Sequence, residues 1–135
     1  MDPQLDAFRF LDGCWSHWSV DWGFELCWER HEHHEQAYLG KLHSGGPMGP
    51  ASEIAIWIVS DPTVHVEIEG SGLGDWFGGV RAATLELRQL DRDHALFADD
   101  QTLLELSYDP SKDVLRLRPW PHPSDYEMRR VNAQP

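Results

Sequence analysis

The chain has 135 residues, enough for one domain (1–135) with a core of its own. Hydrophobic residues make up 41%, which excludes a disordered chain, while a net charge of −12 argues against nucleic acid and anionic membrane surfaces, since both demand a basic face. Seven tryptophans supply large rigid apolar area, suited either to a small barrel's core or to a ligand-lining wall.

From the start of the chain, Leu5, Phe8 and Leu11 recur at helical spacing after Asp2-Pro3, which predicts a short amphipathic turn plugging one end of the body. No basic-then-apolar leader precedes it and no long apolar run follows, so the expected compartment is the cytoplasm. From Trp18 to Trp28 the pattern alternates, with Trp18, Val20, Trp22, Phe24, Leu26 and Trp28 on one parity and Gly23 marking a turn or bulge. Ala37 to His43 reads as a strand ended by Ser44-Gly45-Gly46-Pro47-Met48-Gly49-Pro50. Ile54 to Ile58, Val64 to Ile68 and Ala83 to Leu87 follow, with a glycine-rich loop from Gly70 to Asp75 between the last two. Ala95 to Ala98, Leu103 to Tyr108, Val114 to Arg118 and Tyr126 to Val131 complete the set, and Pro119-Trp120-Pro121-His122-Pro123 interrupts the strand before it. About nine or ten short strands at roughly 8–12-residue spacing, with almost no helix, predict an all-β sandwich or barrel. Cys14 and Cys27 form no CxxC pair. They would lie close if the chain turned back near Asp21, and in a reducing compartment they are expected as free thiols packed like small hydrophobes.

Phe10-Leu11-Asp12-Gly13-Cys14-Trp15 resembles the Phe-Leu-x-Gly-x-Trp opening of lipocalin-like (calycin) barrels, and the chain looks closest to uncharacterised bacterial families of that type. Glu25-Leu26-Cys27-Trp28 is similar to the Glu-x-x-Trp strand that follows in those families, and Asp93-His94-Ala95-Leu96-Phe97 to a later strand pair. The resemblance implies an up-and-down antiparallel barrel holding a small, usually apolar molecule. It further implies that the opening tryptophan, Trp15, packs under an arginine of the last strand, Arg129 or Arg130, where cation–π stacking gives the pairing a physical reason.

Four constellations bear on chemistry. In Glu29-Arg30-His31-Glu32-His33-His34-Glu35, His31 and His33 share a strand face and could hold one divalent metal, with His43, His65 or a glutamate completing the site; an exposed, charged turn is the alternative. His65, Glu67 and Glu69 share a face opposite Val64, Val66 and Ile68. They are a solvated face, or, with Tyr38, supply an acid or base if they line a cavity. The aromatic set Trp18, Trp22, Phe24, Trp28, Trp57, Tyr38, Trp76 and Phe77 either fills the core or lines a ligand site, with Trp76 and Phe77 on a glycine-rich lid. Arg116 shares a face with Arg118 and could hold a ligand carboxylate, or pair with surface acids. No GxGxxG, P-loop, HExxH or GxSxG motif is present, which removes nucleotide-driven and serine-hydrolase chemistry.

The expectation is therefore a barrel that binds a small apolar or aromatic molecule through Trp18, Trp22, Trp28, Trp57, Trp76, Phe77 and Arg116. A cofactor-independent or metal-assisted isomerase, cyclase or lyase using His65, Glu67 or Tyr38 is the alternative, and an interaction module that dimerises through an exposed tryptophan patch or a sheet edge the third. No cofactor is expected beyond a divalent metal at His31 and His33.

Overall fold

Alternation of apolar and polar residues closes this chain on itself. The structure is a computed structural model and describes residues 5–18, 23–30, 37–46, 49–60, 63–70, 82–120 and 125–131. A 3-10 turn, Leu5–Leu11, is followed by ten strands: β1 Gly13–Trp18, β2 Gly23–Arg30, β3 Ala37–Gly46, β4 Gly49–Val59, β5 His65–Gly70, β6 Ala82–Asp91, β7 His94–Ala98, β8 Leu103–Asp109, β9 Val114–Trp120 and β10 Tyr126–Arg130. Each strand pairs antiparallel with the next, and β1 also pairs with β10, so the sheet is a closed up-and-down barrel with no free edge. Among the described residues no helix is long and apolar enough to cross a membrane.

The inner face is read directly from the burial pattern. Phe24, Leu26 and Trp28 of β2, Ile54, Ile56 and Ile58 of β4, Val66 and Ile68 of β5 and Leu115 and Leu117 of β9 are buried in one core, while the residues between most of them face outward. The 3-10 turn floors the barrel at the end where β1 begins. Phe8 and Leu11 are fully buried, and the Phe8 ring stacks on Phe97 of β7 with centroids 6.0 Å apart. β1, β3, β5, β7 and β9 run toward the other end, and β2, β4, β6, β8 and β10 run back from it.

Several boundaries differ from the expectation. Trp18 to Trp28 is two strands, with Trp18 the partner of Gly23, so the alternation restarts after Trp18 and its indole stands outside the wall, 65% exposed. The Gly-Pro stretch interrupts far less than its composition suggests. β3 runs through Gly46 and β4 begins at Gly49, the two being paired, because glycine weakens a ladder without removing its donors and acceptors. Pro119 is likewise inside β9, at a level past the last β10 pair (Tyr126 with Leu117), where only the β8 side is still paired.

Candidate functional site

At the floor, Trp15 is the centre of a set of contacts that ties β1 to the closing strand. Its indole N–H donates to the Leu11 carbonyl (2.9 Å), and Arg130 of β10 lies over its ring, 4.3 Å from the centroid. The Arg130 guanidinium also donates to the Asp12 carbonyl (3.0 Å) and to Asp113 (3.3 Å), while Tyr108 donates its hydroxyl to the same carboxylate (2.8 Å) and packs edge-on against Trp15. This is the tryptophan–arginine pairing that the family resemblance implied, made with Arg130 rather than Arg129. The hydroxyl of Tyr108, and after it the Arg130 charge, hold the Asp113 carboxyl below its usual range; the same hydrogen bond pushes the Tyr108 phenol up. Gly13 is favoured here by its φ of 108°, and a Cβ at this position would come 2.9 Å from the Arg130 guanidinium, which would have to shift.

Inside the barrel, Trp28 is 3% exposed and its Nε1 has no hydrogen-bond partner among the described residues. Its ring lies across Gly40, directly opposite on β3, where a Cβ would come within 2.8 Å of the indole. Leaving a buried N–H unpaired costs about 1–3 kcal/mol, and native interiors rarely tolerate it. Tyr38 shares this inner face, 2% exposed. Nearer the opposite end, His17, Phe24 and Tyr126 form a ring cluster. His17 stacks on Phe24 (5.5 Å) and meets Tyr126 edge-on (5.3 Å), with its Nδ1 3.0 Å from the Glu127 carbonyl oxygen. The sequence reading passed over His17, although it shares the parity of Trp15 and so the inner face.

The other candidates sit elsewhere. Trp57 is on the outer face of β4, between Leu39 and Glu67, not in the interior. Arg116 is also outside, donating to Glu127 across to β10 at 2.8 Å, so it pairs with a surface acid rather than a ligand carboxylate. His65 and Glu67 face outward together, with His65 Nε2 3.3 Å from the carboxylate and Nδ1 2.9 Å from the Thr63 carbonyl oxygen. His43 pairs with Glu53 (3.2 Å), also on the outer wall. A further polar network crosses the outer face, where His94 approaches Glu105 (2.7 Å) and Arg118 lies 3.7 Å from the other oxygen of that carboxylate. Trp22, His31, His33, Trp76 and Phe77 lie outside the described residues.

The cysteines correct the expectation of free thiols. Cys14 and Cys27 are direct partners on β1 and β2, with Cα atoms 4.0 Å apart, and are joined by a disulfide on the outer face. The reversal between the two strands brings them opposite each other, which neither spacing nor compartment could decide. No protein-family model, no curated protein and no solved structure matches this chain, so what the barrel does is argued from the interior geometry alone.

Proposed function

We propose that the protein is a small-molecule binding barrel of the lipocalin-like type, holding an apolar or aromatic molecule whose oxygen acceptor meets the indole N–H of Trp28. The unpaired Trp28 donor carries this reading. The side chains of the core it belongs to are overwhelmingly apolar, and a lone water needs two or more polar partners to stay there, so a carbonyl or ether oxygen on an apolar body fits better. The floor formed by Phe8 and Leu11 closes one end, which leaves the opposite end of the barrel as the way in. Of the residues on which an enzymatic reading rested, His65 and Glu67 stand on the outer wall and Tyr38 faces the interior without either of them, and this favours binding over catalysis. A cytoplasmic location belongs to the same proposal, and it bears on the state of the Cys14–Cys27 pair.

Tryptophan-fluorescence titration with two probes of similar shape, acetylnaphthalene and ethylnaphthalene, tests the reading. The ketone should bind the wild-type protein about tenfold more tightly than the hydrocarbon, and Trp28→Phe should abolish that preference. Because the ratio is compared, any loss of packing in the variant cancels. Equal binding of both probes to the wild type, or none of either, would refute it.

A further inference from the structure

We infer that Cys14, Cys27 and Glu25 form a redox-gated site for a soft divalent metal on the outer wall, open when the disulfide is reduced and closed when it forms. The site is separate from the interior and does not depend on what the barrel binds. Among the described residues, the sulfurs and the Glu25 carboxylate make the one group of three metal-ligating side chains, their ligand atoms all within 4.8 Å of one another. Glu25 Oε1 is 3.4 Å from Cys27 Sγ, a contact with no proton in it while the sulfur is in a disulfide.

The backbone explains why the three groups stay together after reduction. Glu25 and Cys27 are two residues apart on β2 and so share the outer face, and Cys14 is directly opposite Cys27 on β1. The β1–β2 ladder runs without irregularity from Gly13–Trp28 to Trp18–Gly23, so opening the sulfur–sulfur bond removes a cross-link from strands that remain paired. Both cysteines are partly exposed, which lets a thiolate reach them. A dithiol reductant supplies two electrons and two protons, leaving as its own disulfide and turning the bridge into two thiols. A divalent zinc-like ion then displaces both protons and takes two thiolate sulfurs and one carboxylate oxygen, with water in the fourth position. A small-molecule disulfide reoxidises the pair by thiol–disulfide exchange, taking up the two electrons from the sulfurs and two protons from water as it leaves as thiols, and the ion is expelled because the protein disulfide is a poor ligand. The ion also resolves an electrostatic problem, because two thiolates beside a carboxylate would otherwise repel. Lys41, exposed on β3 directly across from Cys27, offsets part of the remaining negative charge.

The test uses the intact protein, reduced by a phosphine, which leaves as its oxide, then desalted and titrated under argon with cobalt(II) and separately with zinc(II). Reduced protein should show a thiolate-to-cobalt charge-transfer band saturating at one equivalent, and should bind one zinc more than the oxidised protein does. Glu25→Gln, which leaves the cysteines intact, should weaken the reduced-state affinity about tenfold or more. Cys14→Ser should remove the band while far-UV circular dichroism shows the strands retained. The same zinc stoichiometry in both redox states, no charge-transfer band, or loss of the β signal on reduction would each overturn the inference. Counting the added zinc between redox states separates this site from any metal held by the histidines near His31, whose binding would not follow the state of the sulfurs.

Discussion

Arg130 makes three kinds of contact that a single other residue cannot reproduce: a face-on approach to Trp15, a hydrogen bond to the Asp12 carbonyl and an ion pair with Asp113. Arg130→Met should cost about 2 kcal/mol of unfolding free energy in a denaturant titration. Arg130→Lys should recover only part of it, because an ammonium keeps the charge but lacks the flat fork. Asp113 adds a pH dependence whose sign is fixed. Its folded-state pKa lies below the unfolded one, so the stabilisation is present above the ordinary carboxylate range and is lost as pH falls through the depressed value. Asp99, held down by the Gln101 backbone N–H and the Thr102 hydroxyl, and Asp109, held down by the Ser111 hydroxyl, act in the same direction. Thermal melts between about pH 5 and pH 2 should therefore show a falling midpoint, and Asp113→Asn should flatten that limb. Tyr108 reads out the same hydrogen bond at the alkaline end. Its raised value contributes stability below the ordinary phenol range, lost as pH rises through it.

The 3-10 turn is short, yet it carries Phe8 and Leu11 fully into the core and accepts the Trp15 N–H through the Leu11 carbonyl. Phe8→Ala should lower stability by about 3–5 kcal/mol, measured by chemical unfolding, since it empties the floor rather than trimming a rim. Gly40→Ala tests the wall above it. A methyl there meets the Trp28 ring, and a loss of about 1–3 kcal/mol, with blue- or red-shifted tryptophan emission, is expected. Most strands and this floor were legible because apolar parity survives in Phe24-Leu26-Trp28, in Ile54-Ile56-Ile58 and in Val64-Val66-Ile68. What parity does not carry is phase across a turn or the choice between two mixed faces. Trp18 takes the opposite face to Phe24 because the strand ends between them, and Trp57 is outside because its β4 neighbours Ile56 and Ile58 outcompete it for the interior. Arg116 follows the same logic, with Leu115 and Leu117 inside and Glu127 across the outer wall to receive it. Of the disulfide, only the proximity of Cys14 and Cys27 was legible, conditional on a reversal near Asp21; the bond itself was not, because the pairing depends on where that reversal falls to within one residue.

For the molecule as a whole, a ligand that binds only the folded barrel raises its stability by mass action, about 2.7 kcal/mol at a concentration one hundred times its dissociation constant. Acetylnaphthalene should accordingly raise the melting midpoint of the wild-type protein in a concentration-dependent way, and a midpoint that does not move up to saturation of the probe would count against interior binding. The barrel closes at one seam, β1 against β10, where, among the described residues, Trp15–Arg130 and Ser16–Arg129 stand in register and the Val131 N–H donates to the Cys14 carbonyl, whereas every other pair of neighbours is consecutive in the chain. That seam is a matter of time as well as of geometry. The hairpins can each form locally, but Arg130 must find the Asp12 carbonyl from 118 residues away, so this pairing carries a larger loop-closure cost than any hairpin in the wall. Substitutions at the seam should then raise the unfolding rate and leave the folding rate nearly unchanged in stopped-flow kinetics, the outcome expected if Arg130 is a clasp on the lifetime of the folded state.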